Sequence, residues 1–309
     1  MEIPLSHNGV AVAILGHGLI GISLVWDKVL LKRPATKNLL SYVFWLGAIS
    51  IFGLILIPFG FKLPSLKLAG MAFAAGMLDL AASYFYYSAL KAGEASEELA
   101  AMGGFSPVAT ALIALFLLKQ PLGGELTGFV LMTLGGFIMF GAEKRPLKKM
   151  LPKILLASGG FGLMSVLQKM VYDQTNFVTG FVFYTLGTFI GSMALLVPPD
   201  WRRQIFEHSE EAPPKSKFWY MVNRFTAGVG SFLVVFAVSR TSPVLVEAIS
   251  GLRYVIIFVA AYSITRWKPS WFREDFRKST LIAKAAATCL VVAGLALVGL
   301  HGGGSGAAP

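Results

Sequence analysis

Apolar residues form ten long stretches along the chain, separated by short polar segments. Each stretch has roughly the 20 residues that a helix needs to cross about 30 Å of hydrocarbon at about 1.5 Å per residue. The pattern therefore predicts an all-α integral membrane protein with transmembrane helices at 9–31, 39–60, 67–90, 95–118, 122–142, 151–172, 177–198, 216–239, 242–266 and 280–300. The longest connection, 199–215, is too short for a compact domain, so we expect the function to reside in the membrane part.

The composition favours the same class of protein. Apolar residues make up 55% of the chain and charged residues 14%, and the mean hydropathy is +0.68. The first eight residues contain no Lys or Arg, so we expect the first stretch to be retained rather than cleaved as a signal peptide. Cys289 is the single cysteine, which excludes an intrachain disulfide.

The net charge of +11 does not indicate nucleic-acid binding, because the basic residues sort by loop. Nineteen of the 27 Lys and Arg residues lie in the loops after the odd-numbered stretches or at the stretch ends next to them, and four lie in or next to the alternate loops. Basic loops are retained on the cytoplasmic side of a membrane. We therefore expect both termini to lie outside, in a bacterial or archaeal cytoplasmic membrane.

The first five stretches resemble the last five in order and spacing. Asp27-Lys28 matches Gln168-Lys169 at an offset of 141 residues, and Gly103 matches Gly251 at an offset of 148. This predicts two five-helix units, at 1–145 and 146–300, followed by a glycine-rich flexible tail at 301–309. Because each unit has an odd number of spans, the second enters the membrane upside down, an arrangement that many carriers use for alternating access.

A further stretch identifies a family likeness. Residues 105–118 read Phe-Ser-Pro-Val-Ala-Thr-Ala-Leu-Ile-Ala-Leu-Phe-Leu-Leu and are followed by Gly128 and by Gly135-Gly136. On these residues the chain resembles the EamA-type ten-helix proteins of the drug/metabolite transporter superfamily, over residues 9 to 300. The resemblance implies secondary transport of a small polar metabolite, such as an amino acid or a related solute.

Ionisable residues within the predicted helices are the candidates for substrate binding or ion coupling. A charge in a membrane helix costs roughly 2.5 to 3.5 kcal/mol and needs a partner, water or the interface. The candidates, with one histidine and one tyrosine, are His17, Lys28, Asp79, Tyr86, Lys169, Arg224, Glu247 and Arg253.

Asp79 and Arg224 allow two interpretations. Asp79 is a substrate ligand or a proton carrier, or it is a structural partner of Arg224. Arg224 binds the carboxylate or phosphate of an anionic or zwitterionic substrate. Alternatively, it pairs permanently with Asp79 or extends to the membrane interface.

Glu247 and Arg253 are six residues apart on one predicted helix, so we expect them to have separate partners. Glu247 lines a central cavity or lies in the wet interface. Arg253 serves the substrate or a structural carboxylate.

The remaining candidates have simple structural alternatives. Lys28 and Lys169 recur in both units, but lysines near helix ends often extend to the interface. His17 is a proton acceptor, or it binds a backbone carbonyl. Tyr86 lies in the aromatic run 84–87, which stacks a substrate or belongs to an interfacial belt.

Motifs of soluble catalysis do not occur in the sequence. There is no P-loop, HExxH or CxxC, and four scattered histidines do not predict a metal cluster. We therefore expect no enzyme activity and no cofactor or metal.

The expected function is secondary active transport, proton-coupled or by exchange, of a small polar metabolite such as an amino acid or organic anion. Asp79 or Glu247 is the expected proton carrier. The alternative is a lipid-handling protein, such as a scramblase or a polyprenyl-linked lipid flippase, whose basic loops gather anionic head groups. The expected partners are the solute and membrane lipid, with no nucleic acid, and the chain is a monomer or homodimer.

Overall fold

The computed structural model describes residues 6–31, 38–92, 95–119, 126–141, 150–210, 214–267 and 278–301. Within these ranges all regular structure is helical. The α-helices are α1 (Ser6–Leu31), α2 (Leu39–Ile49), α3 (Leu66–Ala92), α4 (Ala95–Leu117), α5 (Leu126–Gly141), α6 (Leu151–Tyr172), α7 (Phe177–Ala194), α8 (Pro199–Glu210), α9 (Pro214–Arg240), α10 (Pro243–Ile249), α11 (Leu252–Trp267) and α12 (Lys278–His301). A 3₁₀ helix, Ser50–Phe59, continues α2.

Six helical segments of the described chain are long and apolar enough to cross a membrane, which is compatible with an integral membrane protein. They are Gly9–Asp27, Leu39–Phe59, Leu66–Lys91, Leu151–Tyr172, Phe177–Ala194 and Lys217–Arg240. Shorter apolar helices occur at Gly104–Leu117, Leu126–Ile138, Val255–Trp267 and Ala285–Gly294.

The ninth apolar stretch is not the continuous helix that the sequence predicted. It forms α10, a break at Ser250 and Gly251, and then α11. At the break, Ser250 and Gly251 donate their backbone N–H groups to the carbonyls three residues earlier, at 3.1 and 3.2 Å, which tightens the turn. An added Cβ at Gly251 would lie 3.1 Å from a methyl of Val291 on α12, so the neighbouring helix leaves little space for a larger residue.

Most of the connection 199–215 forms α8, a helix that the sequence pattern did not predict. Ile205 is fully buried, whereas Arg202 and Arg203 are exposed. Phe206 packs edge to face against Phe44 of α2, with ring centroids 6.0 Å apart. The helix is therefore amphipathic and lies against the end of the bundle at which α2 begins.

Helices before residue 145 pack mainly against helices after it. α1 packs along α9 and α11, α3 packs along α6 and α7, α4 contacts α5 and α6, and α5 contacts α12. Small residues permit the close approaches: a Cβ at Gly16 of α1 or at Gly230 of α9 would lie 2.9 Å from the carbonyl oxygen of the other glycine.

Candidate functional site

A buried ion pair joins α1 to α9. Asp27 of α1 is 0% exposed, and its carboxylate accepts hydrogen bonds from the guanidinium of Arg224 and the hydroxyl of Tyr42. The side-chain amide of Asn223 and, at 3.3 Å, the hydroxyl of Tyr87 also donate to it. Four donors therefore compensate for the removal of this carboxylate from water.

Three tyrosine rings surround the other member of the pair. The guanidinium carbon of Arg224 lies 4.8, 5.8 and 5.5 Å from the ring centroids of Tyr42, Tyr87 and Tyr220. Nη1 of Arg224 donates to the Tyr87 hydroxyl at 3.1 Å. The cation is thus held by a carboxylate and by ring faces, which fixes its position. We call Asp27, Tyr42, Tyr87, Tyr220, Asn223 and Arg224 the arginine box.

The suggested pairing of Arg224 with Asp79 is wrong. Arg224 pairs with Asp27, because α9 packs along α1. Asp79 lies on α3, which packs along α6 and α7, and its carboxylate lies near the side chain of Tyr184 on α7. Asp79 is only partly buried.

A second buried carboxylate lies at the end of α10, beside the helix break. Glu247 is 7% exposed. Its Oε2 accepts a hydrogen bond of 3.2 Å from Ser106 of α4, and its Oε1 accepts one of 3.1 Å from Ser165 of α6. No Lys or Arg in the described part of the chain forms an ion pair with it. In the described part of the chain, the Glu247 carboxylate is therefore hydrogen bonded only to the hydroxyl groups of two serines.

His17 of α1 is hydrogen bonded to both α10 and α11. Its Nε2 lies 2.8 Å from the carbonyl oxygen of Val246, and Nε of Arg253 donates to its Nδ1 at 3.0 Å. Because an arginine can only donate, Nδ1 must be the acceptor and Nε2 must carry the proton. The imidazole is neutral in this arrangement, and Arg253 and Glu247 have separate partners, as expected.

The face of α6 that carries Ser165 continues with two further buried polar side chains. Gln168 is 1% exposed and Tyr172 is 8% exposed. Among the described residues, the amide nitrogen and oxygen of Gln168 have no hydrogen-bond partner. The hydroxyl of Tyr172 has none there either. Positions three and seven residues apart share one helix face, so Ser165, Gln168 and Tyr172 form a row. We call this row together with Glu247 and Ser106 the central polar cluster.

The other sequence candidates lie elsewhere. Lys169 forms an ion pair of 2.8 Å with Asp173 at the end of α6, where both are partly exposed. The side chain of Lys28 lies outside the described residues. The ring of Tyr86 packs against Tyr87 and Phe161, with centroids 5.1 and 6.2 Å apart. Among the described residues, no group of three His, Cys, Asp or Glu residues could hold a metal ion.

The sequence interpretation missed Asp27 and Gln168 as members of polar clusters. Asp27 lies next to Lys28 near the end of the first apolar stretch, and the sequence pattern there favours Lys28 alone as a candidate. The available signal was the sequence match described above, since Asp27 and Gln168 occupy corresponding positions in the two predicted units. Both are buried in the structure, at 0% and 1% exposure.

Comparisons with known proteins support the fold alone. No protein-family model matches the chain, and no curated protein matches it. A solved structure described as "Crystal structure of protein" is similar over 98% of this chain and 99% of that chain, with a TM-score of 0.64 and 15% sequence identity. The arrangement of the helices therefore has a counterpart of nearly the same length.

Proposed function

We propose that this chain is a secondary active transporter that moves a small polar metabolite, such as an amino acid or an organic anion, across the membrane by alternating access. Transport is coupled to protons or occurs by exchange. The ten spans are α1, α2 with its 3₁₀ continuation, α3 to α7, α9, the broken pair α10 and α11, and α12. They form two five-helix units of opposite orientation, of the EamA type.

Three of the helix contacts support the inverted repeat, although the contact of α3 with α7 has no counterpart of similar extent between α9 and α2 in the described residues. If the first unit is superimposed on the second, α1 corresponds to α6, α3 to α9, α4 to the pair α10 and α11, and α5 to α12. The contact of α1 with α9 then has its counterpart in the contact of α6 with α3. In the same way, the contact of α1 with α11 corresponds to that of α6 with α4, and the contact of α5 with α12 corresponds to itself.

The observation that carries the proposal is the position of Glu247. Its carboxylate lies at a break in a helix, and it is held by Ser106 from the first unit and Ser165 from the second. Substrate and coupling-ion sites of inverted-repeat carriers lie at interrupted helices between the repeats. Burying a carboxylate without a cation is costly, so this position favours binding of a cationic group, and this is the chemistry that coupling needs.

The arginine box supplies a gate at one end of the bundle. Asp27, Tyr42 and Tyr87 come from the first unit, and Tyr220, Asn223 and Arg224 come from the second. All six lie in the half of their helix that is nearer to the side predicted to be cytoplasmic. The two units can separate at this end only if the Asp27 to Arg224 pair breaks, so alternating access requires this pair to open in each cycle.

Proteoliposomes with a trapped pH-sensitive dye test the proposal. Pools of amino acids and organic acids are added outside, and proton movement is followed. We expect one pool to drive proton movement with the wild type and with Glu207→Gln, but not with Glu247→Gln. Glu207 is an exposed glutamate on α8 and controls for the chemical change. Proton movement at the wild-type rate in Glu247→Gln would remove Glu247 from the coupling mechanism.

The lipid-handling alternative has one feature in its favour, the exposed Arg202 and Arg203 on the amphipathic α8. Such residues attract anionic head groups. The same proteoliposomes, prepared with a fluorescent lipid that a reductant quenches in the outer leaflet, distinguish the two functions. Rapid loss of all fluorescence without any solute-driven proton movement would favour lipid transfer.

A further inference from the structure

Three of the four embedded cations that the sequence offered to an anionic solute have hydrogen-bonding or ionic partners within the described part of the chain. In the described part of the chain, Arg224 pairs with Asp27, Lys169 pairs with Asp173, and Arg253 donates to His17. A guanidinium that is held by a carboxylate and three rings has little remaining attraction for a second anion. The ion pairs of Arg224 and Lys169 therefore make these two residues poor sites for an anionic substrate, whereas Arg253 faces the neutral His17.

The central polar cluster, in contrast, contains a carboxylate without a cationic partner in the described part of the chain. The Glu247 carboxylate is more than nine-tenths buried, and within the described residues only the hydroxyls of Ser106 and Ser165 donate to it. Removing a carboxylate from water without a cation is costly. A protonated primary amine offers one positive charge and three N–H donors, and it can therefore complete the coordination that two hydroxyl groups leave unfinished.

Gln168 provides a second, independent feature of the same place. Its side-chain amide is 1% exposed, and neither the amide nitrogen nor the amide oxygen has a partner among the described residues. The amide oxygen accepts from an ammonium group, and the amide nitrogen donates to a carbonyl, carboxylate or hydroxyl oxygen. The hydroxyl of Tyr172, one turn further along α6, is also buried without a partner in the described chain.

We infer that Glu247, Ser165, Gln168 and Tyr172 form the binding site for a small primary amine that carries a second hydrogen-bonding group. Glu247 and Ser165 hold the ammonium end, and Gln168 and Tyr172 hold the second group. The row from Ser165 to Tyr172 rises about 10 Å along the helix, which fits a solute of amino-acid or short diamine size. This inference rests on the proposed transport function and narrows its substrate class.

The test measures ligand-induced stabilisation of the detergent-purified full chain, followed by intrinsic tryptophan fluorescence during heating. Binding to the folded state raises the unfolding temperature in a concentration-dependent way. The probes are L-lysine, L-alanine, ethanolamine and putrescine as amines, and glutarate and citrate as anions without an amine. Vesicles of phosphatidylglycerol are the lipid probe.

Four variants locate the site. Glu247→Gln removes the charge, and Gln168→Ala removes the unpartnered amide while leaving the carboxylate. Glu207→Gln and Gln174→Ala make the same chemical changes at exposed positions on α8 and at the end of α6. We expect at least one amine to stabilise the wild type and both controls, and its apparent affinity to fall by about tenfold to a hundredfold in Glu247→Gln and in Gln168→Ala.

The outcomes separate the inference from the function on which it rests. Equal amine affinity in the wild type, Glu247→Gln and Gln168→Ala overturns the site. Stabilisation by glutarate or citrate but by no amine overturns the substrate class and leaves a metabolite transporter. Stabilisation only by phosphatidylglycerol overturns the transport function itself. If Glu247→Gln does not fold, Gln168→Ala alone decides, since it preserves every charge.

Discussion

Asp27 on α1 and Arg224 on α9 form a buried ion pair across 197 residues of sequence, with side chains 1% and 3% exposed. The pair connects the two predicted five-helix units at one end of the bundle. Every member of the arginine box contributes either a charge, a hydroxyl, an amide or a ring face to this contact. Loss of either charge would leave the other one buried without a partner.

Removing one partner of the pair should destabilise the protein strongly. We expect Asp27→Asn or Arg224→Gln to cost about 3–5 kcal/mol, because the remaining charge stays buried without compensation. The double variant should be more stable than either single variant, since it leaves no uncompensated charge. Thermal unfolding in detergent measures all three. As a control, Arg203→Gln with Glu207→Gln removes an exposed ion pair of 3.7 Å and should cost about 0–1 kcal/mol.

A double variant that is less stable than both single variants would contradict this account. It would mean that the neighbouring tyrosines and Asn223, rather than the opposite charge, compensate for burial. If the pair opens in the proposed transport cycle, the double variant should retain some transport, whereas a disulfide across the same contact should abolish it.

The helix positions could be predicted from the sequence because the length of an apolar run is a local property. The partners of the charges could not, because they depend on which helices pack together. Asp79 and Arg224 lie in corresponding regions of the two predicted units, which suggested that they form a pair. Because α9 packs along α1, however, Arg224 pairs with Asp27. The break at Ser250 and Gly251 was also hidden, since Gly is common throughout this chain, with 33 occurrences.

Two glycines, Gly76 of α3 and Gly187 of α7, lie where the backbones of α3 and α7 approach closely. A Cβ at Gly76 would lie 2.7 Å from the backbone nitrogen of Thr188, whose hydroxyl donates to the Gly76 carbonyl at 3.2 Å. We expect Gly76→Ala to destabilise the protein by about 1–3 kcal/mol, since the helices must separate. Gly70→Ala is the matched control on the same helix, because no atom lies within 4 Å of its added Cβ.

Gly70→Ala should be neutral or slightly stabilising, as alanine favours a helix more than glycine does. Unfolding temperatures of the two variants in the same detergent give the comparison. Equal effects of both substitutions would show that helix propensity, and not the close approach to Thr188, determines the result.

The distribution of basic residues predicts which end of the bundle faces the cytoplasm. Lys62 and Arg202 are exposed and lie in connections on opposite sides of the predicted topology. In a Cys289→Ser background, we expect Lys62→Cys to react with a membrane-impermeant maleimide in intact cells. Arg202→Cys should react only after the membrane is permeabilised. The reverse pattern would invert the topology and place the arginine box at the outer end.

Substitution of Asp79, which lies outside the central polar cluster, tests whether this carboxylate takes part in the proposed transport. Asparagine keeps an oxygen that can accept a hydrogen bond from the nearby Tyr184 hydroxyl, but it can neither carry a charge nor bind a proton. We therefore expect Asp79→Asn to fold with an unfolding temperature close to that of the wild type, and to lose or uncouple transport in proteoliposomes. Asp200→Asn, an exposed change on α8, is the control. If Asp79→Asn unfolds in detergent under conditions where the control is stable, Asp79 is a structural partner of Tyr184 and the coupling role falls to Glu247 alone.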